Sequence, residues 1–224
     1  MSYFTKATLK FWKGLAKNNS KAWFDDHRGE YQKHLREPYL ALAEDLCDAI
    51  AMIEPEYQLE PKQATYRINR DTRFANDKSP YKTNLGITIG RHEKHDPAWP
   101  AYTVRVGVDG LAIGGGLYRP DTELRDDVRR WMAAHPAKVA CVTADDDYVA
   151  TFGEIKGERH KRLPKDLAAL AVEQPLVFNK QWIFWADWSD ASVLLDDDLD
   201  QLIVTRWQHG RALNELLKQA VSAS

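Results

Sequence analysis

The spacing of the hydrophobic residues changes near residue 64, and this change limits the folds that the chain can adopt. Apolar side chains recur every three or four positions from Trp23 to Ile53, but at every second position in 66–69, 85–89 and 102–108. The first spacing is typical of amphipathic helices and the second of strands that bury one face. We therefore predict N-terminal helices followed by antiparallel strands, the first strand beginning near residue 64.

A hairpin is predicted within the strand region. Asp109-Gly110 lies between Val108 and Leu111, and this dipeptide tolerates the positive φ angles that both central residues of a type I′ turn require. Such a turn pairs Val108 with Leu111. Further along the second strand, three consecutive glycines at 114–116 indicate a bulge, or a ligand or helix that approaches the backbone closely.

Helices are predicted again after the strands. Pro120-Asp121 begins one helix, and the aspartates at 196–198 begin a last helix with an apolar stripe from Leu199 to Leu217. This order gives the fold class α+β, with an antiparallel sheet (a strand meander with the Asp-Gly hairpin) packed by N-terminal and C-terminal helices. Because the chain has 224 residues, we expect a single domain over 1–224.

The charge balance argues against a general attraction to nucleic acid or to membranes. The chain has 31 Lys and Arg against 33 Asp and Glu, a net charge of -2. Its two cysteines are too few for a disulfide framework, and the N-terminus lacks the apolar region of a secretory signal. No apolar run approaches the ~18 residues of a membrane-spanning helix. We expect a cytoplasmic protein with no membrane partner.

Common nucleotide and hydrolase motifs are missing from the sequence. The chain contains no G-x-x-x-x-G-K-[ST] loop, no G-x-G-x-x-G turn and no G-x-S-x-G elbow. The chain therefore lacks the usual motifs of nucleoside triphosphatases, dinucleotide-binding enzymes and serine hydrolases, and we predict no cofactor.

Three stretches of the sequence resemble a known family. They are NNSKAWFDDHR at 18–28, RINRDTRFANDKSPYKTNLG at 67–86 and GGGLYRP at 114–120. In these motifs the chain is similar to a widespread bacterial family catalogued as domain of unknown function 2461. The resemblance implies a single α+β domain and brings no established activity. The segment WIFWADW at 182–188 is richer in tryptophan than expected of relatives.

The middle stretch concentrates positive charge. From Lys62 to Lys82 there are six basic and two acidic residues, a net charge of +4 in a chain that is negative overall. The planar guanidinium of arginine can donate two parallel hydrogen bonds to a phosphate or carboxylate group, and the rings of Phe74 and Tyr81 offer an apolar surface for a base or sugar ring. We predict a site for an anionic small molecule or phosphate-bearing ligand, with Arg105 and Arg119 converging on it. The predicted ligand-binding residues are Arg67, Arg70, Arg73, Lys78, Tyr81, Lys82, Arg105 and Arg119.

Two further interpretations of this stretch stay open. If the ligand is a phosphoester that the protein cleaves, Asp71 and Asp77 are the candidate catalytic acids or bases. Alternatively, both aspartates pair with neighbouring arginines, and the stretch is a scaffold or a protein-docking surface without catalysis. Nucleic-acid binding is a third interpretation, not favoured because the overall charge is negative.

Two other polar groups receive structural interpretations. His27 shares a helix face with Trp23 and Tyr31 and is expected to be a packed residue. The segment RHEKHDP at 91–97, which includes His95, superficially resembles a metal site, but a polar hairpin loop accounts for it and no metal is predicted. For the tryptophans of 182–188 we favour core packing over an exposed interaction patch.

Overall fold

The computed structural model describes residues 2–73, 76–94 and 96–223. It contains a four-stranded antiparallel sheet with helices before and after it in the chain, so the predicted α+β class is confirmed. The strands follow one another in the order β1-β2-β3-β4. Their bounds are β1 Asn84–Ile89, β2 Ala101–Gly107, β3 Gly110–Leu117 and β4 Trp182–Trp188.

The chain forms two compact units. The first unit contains Met1–Ile89, Thr103–Ile113 and Asp187–Val204, and the second contains Gly90–Tyr102, Gly114–Ala186 and Thr205–Ser224. The single domain expected from the chain length stays a prediction.

Five helices precede the sheet among the described residues of the first unit. They are α1 Lys6–Lys17, α2 Lys21–Asp26, α3 Arg28–Tyr31, α4 Glu37–Ile53 and α5 Pro61–Ala64, with a π-helical turn at Gln32–Arg36. Thr5 caps α1 and forms a reciprocal capping box with Thr8. Pro38 lies in the first turn of α4 but not at a free helix end, because Arg36 and Glu37 before it are also helical and the chain enters α4 through the π-helical turn. The carbonyl of His34, which a residue with an N–H at position 38 would bond, accepts from Thr8 Oγ1 at 2.6 Å instead.

Further helices follow β3. They are α6 Thr122–Ala134, α7 Pro136–Thr143, α8 Asp146–Phe152 and α9 Lys165–Leu170, and the last helix is α10 Leu199–Ser222. Asp121 caps α6 as predicted, because its carboxylate accepts a hydrogen bond from the Leu124 N–H at 3.0 Å. Among the helices described, none is both long enough and apolar enough to cross a membrane.

The hairpin forms, but its turn differs from the prediction. β2 ends at Gly107 and β3 begins at Gly110, so Val108 and Asp109 are the connecting residues. Gly110 has a φ of 102°, whereas Asp109 is not among the residues with positive φ. A type I′ turn is therefore excluded, and the geometry matches a turn followed by a glycine bulge. Asp-Gly is compatible with a type I′ turn and with a turn followed by a glycine bulge, so the sequence alone did not distinguish the two turn types.

The glycines at 114–116 accommodate neighbouring protein rather than a ligand. A Cβ on Gly114 would overlap the Trp185 ring, and a Cβ on Gly115 would overlap the Phe184 ring. Gly116 has a φ of 111° and lies against the Trp182 carbonyl. The partner that approaches the backbone is thus β4, a strand that the periodicity analysis did not find.

Phe184 also explains a glycine in the last helix. Its side chain is 0% exposed, and a Cβ on Gly210 would overlap three atoms of its ring. Alanine normally stabilises a helix relative to glycine by about 0.5–1 kcal/mol. At Gly210 this gain is outweighed by the displacement that Phe184 would have to make.

We therefore expect Gly210→Ala to lower the free energy of unfolding by about 1–3 kcal/mol, because an added methyl overpacks the core. Gly29→Ala is the matched control, since it also adds a methyl to a helix but meets no described atom within 4 Å. It should be neutral or stabilising. Urea unfolding of both variants tests this, and equal effects would contradict the packing argument.

Candidate functional site

The charged loop, residues 67–82, is closed at its base by a short pair of antiparallel segments. The Arg70 N–H donates to the Pro80 carbonyl at 2.8 Å, and the Lys82 N–H donates to the Ile68 carbonyl at 2.8 Å. One antiparallel bridge lies between these two bonds. The strand predicted from residue 64 is thus reduced to isolated bridges, and the loop begins and ends at fixed positions.

Tyr81 anchors this base to α2 and to the turn before it. The Asn19 side-chain amide donates to the Tyr81 carbonyl at 2.9 Å and accepts from the Tyr81 N–H at 3.0 Å. The Tyr81 ring stacks on Phe24 with centroids 4.1 Å apart and planes at 16°. Tyr81 is 5% exposed, so its ring supports the loop from the core. Phe74, the other predicted platform, lies outside the described residues.

Asp71 pairs with Arg73 across a tight turn. Its carboxylate accepts from Nη2 of Arg73 at 2.6 Å, from Nε at 3.0 Å and from the Arg73 N–H at 3.2 Å. The Arg73 hydrogen bonds hold the pKa of Asp71 well below its ordinary value. Both side chains are largely exposed, so the pair shapes the turn and is not a buried ion pair.

Asp77 forms a second such turn on the other side of the loop. It accepts from the Ser79 N–H at 2.9 Å and pairs with the Arg70 guanidinium. The hydrogen bonds from Ser79, and then the charge of Arg70, lower the pKa of Asp77. Lys78 ties the two sides together, because its Nζ donates to the Thr72 carbonyl at 2.9 Å.

The pairing leaves positive charge in excess. Within the described part of the loop there are five basic residues and two carboxylates, and the carboxylates engage Arg70 and Arg73. Arg67 is exposed and pairs with no carboxylate of the described residues, and the hydrogen bond found for Lys78 goes to a backbone carbonyl. The loop therefore keeps a net charge of +3.

Lys82 connects the loop to a row of polar side chains on β1 and β2. Its Nζ lies 5.4 Å from the centroid of the Tyr66 ring. The Tyr66 hydroxyl donates to Thr88 Oγ1 at 3.4 Å, and Thr88 Oγ1 lies 3.0 Å from Thr103 Oγ1. These hydroxyl groups form a continuous chain that begins beside a lysine.

Arg105 lies on the same face of the sheet as Thr103, because side chains two apart on a strand point the same way. Since Thr88 faces Thr103 across antiparallel strands, Arg105 faces Gly86. The Tyr66 ring packs on Gly86, where a Cβ would lie 3.3 Å from the ring. The backbone of Arg105 thus lies opposite the strand position that Tyr66 covers, and its guanidinium extends to Asp187 on β4. We call Tyr66, Lys82, Thr88, Thr103 and Arg105 the polar face.

A cavity of about 210 Å³ opens beside Arg105. The Arg105 guanidinium lies 3.3 Å from the Asp187 carboxylate, and both side chains are about half exposed. An exposed pair of this kind is weak and easily rearranged. The cavity lining is completed by Asn84, Gly107, Asp109, Gly110, Leu111, Ala112 and Ser189.

Arg119 belongs to the second unit, whereas the charged loop belongs to the first. It has a φ of 54°, which is unusual for a residue with a side chain. Its guanidinium lies 5.0 Å from the ring centroid of Tyr118, which is 53% exposed. The contribution of Arg119 to a shared site stays a prediction.

A second cavity in the first unit, of about 550 Å³, has an acidic lining. Tyr3 donates to Asp45 there, and Asp197, Asp198 and Asp200 complete the carboxylates. Burial, followed by the bond to Asp45, raises the pKa of Tyr3 above its ordinary value. This lining repels an anion, so the cavity is no alternative place for the predicted ligand.

The two other polar groups singled out in the sequence are placed as follows. His27 stacks on Trp23 with centroids 4.0 Å apart, and its Nδ1 lies 2.8 Å from the Trp23 carbonyl. Among the described residues, no three His, Cys, Asp or Glu side chains are grouped to hold a metal. His95 lies outside the described residues.

The fold and the loop together define an α+β protein that carries a cationic loop anchored on its N-terminal helices. A family model described as a conserved hypothetical protein, DUF2461, matches residues 7–215. The chain belongs to this family, as its motifs predicted. None of the curated proteins matches the chain.

The Asn19 amide bonds offer a direct test of how the loop is anchored. Asn19→Ala should lower the free energy of unfolding by about 1–3 kcal/mol, because the buried Tyr81 backbone loses both partners. Asn69→Ala is the control, since Asn69 is an exposed asparagine at the base of the loop. Denaturant titration measures both, and similar losses would show that the Asn19 amide does not anchor the loop.

The lowered pKa of Asp71 predicts a pH effect. A carboxyl whose pKa falls on folding stabilises the protein above its unfolded pKa, and this contribution is lost as the pH falls through the folded value. Asp71→Asn should therefore flatten the loss of stability below about pH 4. Asp48→Asn, at an exposed site on α4, controls for net charge. Unchanged acid sensitivity in Asp71→Asn would refute this account.

Proposed function

We propose that the protein binds a small ligand carrying a phosphate or another oxyanion group, and that the ligand lies on the polar face beside the charged loop. The observation that carries this proposal is that Lys82 lies over the Tyr66 ring and that Arg105 starts from the strand position opposite the one that Tyr66 covers, on the face that bears two threonine hydroxyls. Ammonium, guanidinium and hydroxyl groups are the usual donors to phosphate oxygens.

The charged loop supports the proposal through its field. Its net charge of +3 is concentrated within sixteen residues, while the whole chain has a net charge of -2. Charges within about one Debye length, ~8 Å at physiological salt, raise the local concentration of an anion. Arg67 and Lys78 supply this field without a paired carboxylate among the described residues.

The geometry changes the roles of four predicted residues. Arg70 with Asp77 and Arg73 with Asp71 form ion pairs that hold the loop turns, which favours the scaffold interpretation for these side chains. Their carboxylates have lowered pKa values and are weak bases. The proposal is therefore one of binding, and the catalytic assignment of Asp71 and Asp77 stays a prediction.

The Arg105–Asp187 ion pair suits an anion-binding site, because an oxyanion of the ligand can take the place of the Asp187 carboxylate on Arg105. Both side chains are about half exposed, so this ion pair by itself adds little to holding Arg105 on Asp187, and a ligand oxygen can compete for the guanidinium. Asp187 also disfavours a long polyanion, because a second phosphate beside it would be repelled. This favours a small ligand over nucleic acid. The cytoplasmic location also stays a prediction.

Thermal unfolding in phosphate tests the proposal. Inorganic phosphate should raise the melting temperature more than sodium chloride of equal ionic strength, because binding stabilises the folded state. At a hundred times its Kd a ligand adds ~2.7 kcal/mol, which is roughly 5–10 °C for a chain of this size. Lys82→Gln and Arg105→Gln should each remove much of this phosphate-specific gain.

The matched control is Lys62→Gln. Lys62 is an exposed lysine of α5 outside the polar face, and its replacement changes the net charge by the same amount. It should keep the full phosphate effect. If Lys62→Gln and Lys82→Gln respond alike, net charge accounts for the effect and the polar face is not the site.

A further inference from the structure

A second group of cations lies within the second unit, around His160. The segment that contains this residue pairs with the start of β4 and with the residues just before it, through antiparallel bridges of Lys156 with Ile183 and of Arg159 with Asn179. The backbone N–H of His160 donates to the Phe178 carbonyl at 2.8 Å. The backbone of His160 is thus fixed beside Asn179.

Helix α6 brings two arginines to the same place. Arg125 and Arg129 are four residues apart and therefore share a helix face. Arg129 is 2% exposed and donates to the Asn179 carbonyl from Nη2 at 2.7 Å and from Nε at 3.2 Å. It also donates to Asp126 at 2.7 Å. Arg129 therefore attaches α6 to Asn179, which pairs with Arg159, the residue before His160.

Two buried nitrogen atoms in this group have no hydrogen-bond partner among the described residues. Nε of Arg125 and Nε2 of His160 are both shielded from solvent, and no group in the described part of the chain hydrogen-bonds to either. Arg125 uses Nη2 on Thr122 Oγ1 at 3.1 Å, so its guanidinium is held in position. Buried polar atoms are nearly always hydrogen-bonded, and leaving one unsatisfied is costly.

The charges around the imidazole are mostly positive. Burial lowers the pKa of His160, and the nearby cations Arg129, Arg125 and Lys180 lower this pKa further, against the opposing effect of Asp126. Lys180 is partly engaged, since its Nζ lies 3.3 Å from Glu158. An isolated imidazole among three cations is favourable only while it is neutral.

We propose that Arg125 and His160 form a second oxyanion-binding site, which takes a single phosphate, sulfate or carboxylate group within the second unit. Such a group accepts hydrogen bonds from Nε of Arg125 and Nε2 of His160 and offsets the charge of Lys180. A ligand of this kind satisfies both donors and the positive field at the same time. This site shares no residue with the polar face.

Binding at this site is coupled to protonation of His160. An anion beside the imidazole stabilises its protonated form, so bound anion raises the pKa of His160 and binding takes up a proton. Affinity should therefore increase as the pH falls below about 6.5 toward the lowered pKa of free His160. The charged groups that face the imidazole are Arg125, Arg129, Lys180 and Asp126, of which Asp126 pairs with Arg129 and Lys180 with Glu158.

NMR titration of the imidazole protons tests the site directly. His160→Gln identifies the resonance, and the pKa of His160 is then measured in sulfate, in acetate and in chloride at equal ionic strength. The pKa should be higher in the oxyanions than in chloride. Arg125→Gln should abolish this difference, and Arg125→Lys, which keeps the charge but lacks Nε–H, should reduce it.

Arg130→Gln is the matched control. Arg130 is a half-exposed arginine of α6 that pairs with Asp127 and Asp166, and its loss should leave the His160 response intact. Lys82→Gln should also leave it intact, which separates this site from the polar face. Equal pKa values in sulfate, acetate and chloride, or an unchanged response in Arg125→Gln, would overturn the proposal.

Discussion

The candidate site depends on how Tyr81 is held. A loop with several like charges tends to spread, because its cations repel one another, and it keeps a shape only if its ends are fixed. Asn19 binds the Tyr81 backbone from one side, and Phe24 covers the ring. The charged loop therefore begins beside the helical core, and Lys82, the next residue, is directed to the polar face.

The sequence predicted the layers of the fold better than their details. Period and caps located α6 and α10, since both helices carry strong local signals. β4 was missed because aromatic residues occupy both of its faces, so Trp182 to Trp188 shows no alternation of polar and apolar types. The glycines at 114–116 nevertheless indicated that something packs closely against β3, and the structure shows that β4 does so.

The excess positive charge of the candidate site could be predicted from the sequence, but the ion pairs within the charged loop could not. A count of residues finds the excess of cations in the loop, but it does not say which carboxylate each arginine meets. Asp71 and Asp77 bind residues two positions ahead, which is a property of the turn conformation. Tyr66, Thr88 and Thr103 were missed because neutral hydroxyls carry no signal until the strand register brings them together.

A net charge near zero conceals two kinds of local environment in this chain. At the polar face Thr88 is buried but Arg105 is about half exposed, so the anion proposed there would replace water and a weak ion pair, and its affinity would depend on long-range charge. Around His160 the donors are buried, so an anion satisfies groups that water does not reach and its affinity depends on short hydrogen bonds. Added salt should therefore weaken binding at the polar face much more than binding at Arg125 and His160, because screening acts mainly on exposed charges.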